Sequence, residues 1–376
     1  SGARVAVLEA ETPGAGASGR NAAGLAGIWA GHDPARILEM FGAERGGRMN
    51  ALVARSPRLV GDLIARHGID ADLRMNGMLI GANDPAAADR LQAAARDWTA
   101  LQNPMDWLDA AEFAAASGSD RYRGGLLLHA AGTLNPLSYA LGLARACAAA
   151  GVAIHCHSPV MAIEPAGKAW RVVTPKGRIV ASRVLLAAGS AAMRIRPALA
   201  ACCYPLHMAV AASAPIDEGT AKRLFPRGLP LADSSSLDLF WMMQTPDRRI
   251  LGSLFPAIGW AKPAAVAAPY AARIRRLFPG APALRWEHAW TGLIDLVPRR
   301  VPQVLQLAPG LHAILGFSGQ GINLATALGD AVAGYLLDGD RERLPFPVEA
   351  PQRVPLPRLL PWAMRHMAFP LLRLKA

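Results

Sequence analysis

Apolar and polar positions along the chain follow two periods. Residues 4–8 (RVAVL) are apolar and β-branched, the pattern of a buried strand in a parallel sheet. From 34 to 67 the apolar positions, including Ile37, Leu38, Phe41, Met49, Leu52, Val53, Leu59, Leu63 and Ile64, recur at helical spacing and predict one or two helices ending at His67-Gly68. A short strand over 77–80 follows, then a helix over 84–99 started by Asp84-Pro85, then a shorter helix over 107–113. Asn135-Pro136 opens a helix with Leu137, Leu141, Ala144 and Ala148 on its apolar face. Gly151 stops it, and 152–154 returns as a strand, the order of a doubly wound fold. A small β-meander covers 160–163, 170–174 and 178–181, and VLLAAG at 184–189 is a buried strand with a small-residue end. Strands at 208–212, 237–244, 250–254 and 286–290, a turn at Pro246-Asp247-Arg248-Arg249 and a helix over 263–278 make a second, mostly antiparallel body. The strand 311–315 leads into a helix from Asn323 with Leu324, Leu328, Val332 and Leu336 along one face.

Composition changes this picture little. The 376 residues are 52% hydrophobic, enough for one large or two ordinary domains with a substantial core. The net charge of +12 comes from 40 basic and 28 acidic residues, and only five of the basic ones are lysines. With no zinc finger, no basic run with interleaved aromatics and no RNA-binding signature, nucleic acid is not an expected partner. The balance favours anionic ligands and anionic membrane surfaces. Cys147, Cys156, Cys202 and Cys203 have no metal-ligand spacing, which makes a reducing compartment the default and the adjacent pair two small buried residues. His155 and His157 share a strand face but lack a third ligand nearby in sequence, so no metal is expected; His129 is a weak pocket candidate. No uninterrupted apolar stretch is long enough to span a bilayer. The 345–376 tail is Pro-rich, then amphipathic and basic, with Leu359, Leu360, Trp362, Met364, Met367, Phe369, Leu371 and Leu372 beside Arg358, Arg365, Arg373 and Lys375. Packing on the body is its first expected role, and a protein or membrane-surface contact through 353–376 its second.

Chemistry concentrates in two glycine-rich turns. In RVAVLEAETPGAGASGRNAAG (4–24), the strand ends on Glu9, a carboxylate placed to accept both hydroxyls of a ribose. Gly14, Gly16 and Gly19 then turn the chain and expose N–H groups, and Arg20 and Asn21 are read as opening a helix that favours an anion. In LGFSGQGIN (315–323), Gly316, Gly319 and Gly321 make a second turn whose helix start can face a group gaining negative charge. A dinucleotide fold has an earlier strand and loop before such an acidic residue, so roughly 25–30 further residues are expected ahead of this stretch. Trp241, Met243, Gln244, Trp260 and Trp290 are candidate pocket residues in the second body, although a Trp or Met in a strand is more often core.

These stretches, with AAGTLNPLSYALGLARACAAAGVAIH, VLLAAG and WTGLIDLVPRRVPQV, resemble the FAD-dependent amine and amino-acid oxidoreductases of the D-amino-acid oxidase, glycine oxidase and sarcosine oxidase superfamily. The ASGRN and NP-x-x-Y-A-x-GLARA stretches are most similar to its γ-glutamylputrescine oxidase branch. The resemblance implies an α/β plus α+β fold. A discontinuous Rossmann-like FAD-binding domain would take 1–50, 125–204 and 291–345, an inserted substrate domain 51–124 and 205–290, and the basic tail 346–376. It implies that Glu9 holds the adenosine ribose, that Ser18, Gly19, Arg20, Asn21, Ala23 and Gly24 pass the pyrophosphate and isoalloxazine edge, and that Val160 meets adenine. Ala188 and Gly189 would approach the cofactor, and Gly316, Ser318, Gly319, Gln320, Gly321 and Ile322 would border the flavin's pyrimidine side.

The chain departs from the family where members often carry R-P-x-T-P-D-G-x-P. Leu293 to Pro302 (LIDLVPRRVP) stands there, without the Arg that in some members holds a substrate carboxylate, so Asp295 or the Arg299-Arg300 pair marks a change of substrate class. No Cys lies where some members attach flavin, so FAD is expected to be non-covalent. The expected activity is oxidation of a primary or secondary amine (an amino acid, N-methyl amino acid or polyamine derivative) by hydride transfer to flavin N5, giving an imine that hydrolyses. Trp241, Gln244, Trp290, Asp295 and Gln320 are pocket candidates, none with an assigned acid or base role. The electron acceptor is O2 or a quinone or carrier. The expected location is cytoplasmic, with peripheral contact at the inner face of a membrane. The alternative is a non-catalytic FAD-binding or assembly protein docking through its tail.

Overall fold

The computed structural model describes residues 2–233, 240–254, 263–342, 344–357, 359–364 and 366. Two small sheets share one core. The strand Ala6–Leu8 pairs in parallel with Ala153–His155. Val184–Leu186 pairs in parallel with Leu311–Leu315, which Gln303–Ala308 and then Val348–Glu349 flank. Leu8, Val160, Leu186, Leu311 and Leu315 meet in one apolar cluster that joins these sheets. The first strand is not buried, contrary to its sequence pattern: Val5 is 49% and Val7 42% exposed. Among the described residues it has one pairing partner of three residues, and such a ribbon covers neither of its faces.

The larger body is a sheet that, among the described residues, has eight strands. Their order is Trp286–Leu296, Tyr204–Ser213, Ile250–Leu254, Trp241–Gln244, Leu231–Asp233, Met78–Gly81, Gly125–Leu128 and Met105–Leu108. All neighbours are antiparallel except Leu231–Asp233 with Met78–Gly81. The strand Gly125–Leu128 belongs to this sheet although the sequence division placed it in the cofactor segments. One face packs on the helix Pro263–Leu277 through Met242, Ile250, Tyr270 and Ile274.

The 34–67 pattern resolves into two helices, Pro34–Phe41 and Ala43–His67, broken at Gly42 with φ of 80°. The helix expected over 107–113 is instead the edge strand Met105–Leu108 followed by the helix Ala110–Ser117. Asp109 starts that helix later because it forms a capping box with Glu112. The helix Gly321–Asp338 buries Leu324, Leu328 and Val332 against Met49, Leu52 and Val53 of the helix Ala43–His67, which fixes where its first turn lies.

Arg273 of the helix Pro263–Leu277 donates to Asp233 of the sheet, with 10% and 0% of their side chains exposed. Removing one partner of such a pair leaves a buried charge, so Arg273→Met is expected to cost about 3–5 kcal/mol of unfolding free energy, read by urea denaturation.

Candidate functional site

Glu9 lies just past the carboxyl end of the first strand. Its N–H donates to His155 O at 2.9 Å, its carbonyl accepts Ser158 N–H at 2.8 Å, and its Oε1 accepts Glu11 N–H at 3.0 Å. Val160 follows the same loop and packs on the Leu8 cluster.

The first glycine turn differs from its sequence reading. The helical turn is Ala17–Arg20, and Arg20 and Asn21 close it rather than open it. Asn21 Nδ2 donates to Ala17 O at 3.1 Å and Ser18 O at 2.9 Å, while its Oδ1 accepts Ala23 N–H at 2.9 Å. One amide thus ends the helix and holds Ala23 at φ of 71°. Gly19 crosses so close to Gly14 that a Cβ on it would stand 2.2 Å from the Gly14 carbonyl oxygen. The strand Gly24–Ala26 then pairs with Ala131–Thr133.

The second turn folds onto this segment. Gln320 Nε2 donates to Ile28 O at 2.8 Å, and its Oε1 accepts Ala30 N–H at 2.7 Å. Asn323 Nδ2 donates to Ala26 O at 3.0 Å and to Ser56 Oγ at 2.6 Å. The Tyr139 and Thr326 hydroxyls lie 3.0 Å apart, tying the helix Pro136–Ala149 to the same helix start. No side chain caps that start, and a Cβ on Gly319 or Gly321 would meet nothing within 4 Å. The late turn therefore brings an uncapped helix start, with open space around Gly319 and Gly321, beside residues 26–30.

The large sheet reaches the first turn through two tryptophans. Trp241 pairs with Ser253, Ser253 with Val210 and Val210 with Trp290, so the four form a cross-strand row on one face. Trp290 Nε1 donates to Arg20 O at 2.8 Å, and a Cβ on Gly24 would stand 2.9 Å from the Trp241 ring. Further along, that face carries Leu206, Met208 and Ile294, on which Met364 of the tail packs. Gln244 is set apart. It pairs with Ile250 near the Ser213–Trp286 end of the sheet, roughly 30 Å of strand from Asp295. Trp260 lies outside the described residues, and so do 367–376 of the tail.

Asp295 does not face the tryptophan row. It is 7% exposed, its Oδ2 accepts Gly316 N–H at 2.7 Å, and a Cβ on Gly189 would stand 3.8 Å from that oxygen. Gly189, Asp295 and Gly316 thus meet at one place. Gln320, expected in a pocket, spends both ends of its amide on backbone, and Asn323 was overlooked because its partners lie in distant segments. Arg299 is paired with Glu349, and the Arg300 side chain lies against Gly31. His129 pairs with Asp106 at the surface, and His155 and His157 are exposed. Among the described residues no group of His, Cys, Asp or Glu is placed to hold a metal, and no helix is long and apolar enough to cross a membrane. Cys202 and Cys203 are buried. Burial and the neighbouring Asp295 push the Cys203 thiol up to about 12.

Burial also lifts the Asp295 carboxyl above the usual carboxylate range, against hydrogen bonds from Gly316 and Phe317 that lower it. A raised native value means that the group's stabilisation is complete below the unfolded carboxylate pKa and is lost as pH rises through the native one. The melting temperature of Asp295→Asn relative to wild type is therefore expected to rise with pH from about 4 upward, read by thermal melts across a pH series.

Comparison with known proteins accords with this geometry. Residues 1–335 match the family model described as FAD dependent oxidoreductase. The chain is 30% identical over 363 residues to gamma-glutamylputrescine oxidoreductase of Escherichia coli K12, covering 93% of this chain and 84% of that protein. It superposes on the crystal structure of glycine oxidase from Geobacillus kaustophilus with a TM-score of 0.72 at 22% identity, over 89% of this chain and 88% of that one. By its match to the family model and to this relative, the chain belongs to the FAD-dependent oxidoreductase family.

Proposed function

We propose that this protein oxidises a primary or secondary amine, an amino acid or polyamine derivative, with non-covalent FAD. The observation that carries the reading is the junction made by Gln320, which seats the late glycine turn on residues 28–30. That junction sets the late glycine turn beside residues 26–30, an arrangement that an elongated nucleotide spanning both would need. The residues fit the cofactor: a Cβ at Gly319 or Gly321 would meet nothing within 4 Å, the helix start is uncapped, and a Cβ on Gly189 would approach only Asp295 Oδ2, at 3.8 Å. Glu9 would hold the ribose and Val160 the adenine. Residues 18–24 would line the middle of the nucleotide, and Gly316, Ser318, Gly319, Gln320, Gly321 and Ile322 its flavin end.

When bound, FAD supplies the acceptor for a hydride from the carbon beside a neutral amine nitrogen, and the resulting imine hydrolyses to a carbonyl product. The chain's own part is orientation and field. The N–H groups at the start of Gly321–Asp338 would offer positive charge to the flavin end, and Trp241 and Trp290 cover the neighbouring segment from the sheet. The reading assigns 1–50, 125–204 and 291–345 to the cofactor and 51–124 and 205–290 to the substrate, with Gly125–Leu128 moved to the substrate sheet. The likeness to gamma-glutamylputrescine oxidoreductase supports an amine rather than a hydroxy acid as substrate. The location is cytoplasmic, and the acceptor is O2 or a quinone or carrier.

A second reading, of a non-catalytic flavin protein docking through its tail on a partner or a membrane surface, draws on exposed apolar residues there. Leu356 is 62%, Leu359 54% and Trp362 53% exposed.

The purified protein is expected to show an oxidised-flavin spectrum and to be bleached anaerobically by a member of a panel of polyamines, N-methyl amino acids and D-amino acids. Bound flavin that none of them reduces favours the second reading, and peroxide release on turnover separates an oxidase from a dehydrogenase. Because a side chain fits at residue 321, Gly321→Asp is expected to slow anaerobic flavin reduction about tenfold or more while Gly321→Asn does so much less, read by stopped flow.

A further inference from the structure

Asp295 is a buried acid that the proposed chemistry does not use. It sits near the end of the strand Trp286–Leu296, which the large sheet fixes by pairing with Tyr204–Ser213. Among the described residues no Lys, Arg or His forms an ion pair with it. Its partners are backbone groups of the late turn. Oδ2 accepts Gly316 N–H at 2.7 Å, and the Asp295 carbonyl oxygen accepts Ser318 N–H at 3.3 Å. Ser318 Oγ accepts Val297 N–H at 3.4 Å and donates to Gly316 O at 3.1 Å, closing the turn on the strand.

The turn needs such an anchor. Gly316, Ser318 and Gly319 have φ of 88°, 53° and 96°, so three of four successive residues hold left-handed backbone, one of them with a side chain. A Cβ on Gly316 would stand 2.8 Å from Val297 Cγ1, leaving the segment no slack toward the strand. What keeps it there is a fixed acceptor behind it.

We propose that Asp295 is a positioning residue for the cofactor-facing turn: its carboxylate draws the Gly316 N–H group inward, its carbonyl holds Ser318, and together they set where the N–H groups at the start of Gly321–Asp338 point. This rests on the reading above that the turn borders the flavin. The same negative charge stands behind the positive end that the turn presents and moderates its pull on anions at the flavin. Asparagine keeps an acceptor at this place and removes the charge, whereas alanine removes both.

The test compares holoprotein and apoprotein of wild type, Asp295→Asn and Asp295→Ala. FAD affinity, read by flavin fluorescence on titrating apoprotein, is expected to fall about tenfold or more in Asp295→Ala and to stay within about threefold of wild type in Asp295→Asn. Sulfite, which adds to oxidised flavin as an anion, is expected to bind Asp295→Asn at least about fivefold more tightly, read by loss of the flavin absorbance near its long-wavelength maximum. A merely structural role would leave that affinity unchanged. Equal FAD affinity in all three proteins overturns the inference, and so does a loss in Asp295→Asn as large as in Asp295→Ala with both apoproteins melting like wild type. Where Asp295→Ala does not fold, unchanged sulfite affinity in Asp295→Asn overturns it alone. A wild type that takes up no FAD overturns the functional reading first, so the two failures are told apart.

Discussion

One primary amide joins the two ends of this chain. Gln320 gives its N–H to Ile28 and takes one from Ala30, partners 292 and 290 residues away in sequence. Both backbone groups lie in an irregular segment, where no sheet ladder would satisfy them, so the amide stands in for a strand neighbour. Asn323 repeats the device one helical turn later, on Ala26 and Ser56. Without these side-chain bonds the helix Gly321–Asp338 would still bury its apolar face, but its first turn would lose its polar ties to residues 26–30. The juxtaposition of the late turn with residues 26–30 is therefore a product of two amides more than of any sheet.

The large sheet contributes through a row and an end. The row Trp241–Ser253–Val210–Trp290 lies over the first glycine turn, with one indole bonded to Arg20 O and the other flat against Gly24. The end is Asp295, still paired in the sheet, whose carboxyl accepts from Gly316 of the late turn. A single element thus touches both turns, one by aromatic area and one by charge-assisted hydrogen bonds.

Much of the fold was legible in the sequence because period and punctuation agreed. The Asn135-Pro136 start, the Gly151 stop and the apolar stripe of 321–338 each became the expected helix. The misreadings share a cause. Asn21 carries the signature of a helix start, yet its amide reaches back to Ala17 and Ser18, a choice that only three-dimensional closure of the turn decides. Residues 107–113 have enough helix formers to read as one element, but Asp109 with Glu112 delays the helix and frees 105–108 to pair with Gly125–Leu128. The first strand has an interior composition and an exposed setting. At the candidate site, residue types were visible and partners were not. Gln320 and Asp295 both looked like groups aimed at a substrate, and both are spent on backbone far away in sequence. The alignment of Trp241 with Trp290 depends on register across three strand pairs, which no local pattern encodes.

The strand Trp286–Leu296 carries Trp290 and Asp295 on one uninterrupted run of paired backbone. There is no loop between the residue that touches the first turn and the residue that holds the second. Rigid-body opening of one half of the molecule against the other has no pivot along this line. The spacing between the two turns is therefore set by the rise of one strand, and a displacement of either turn is carried along the same run of backbone.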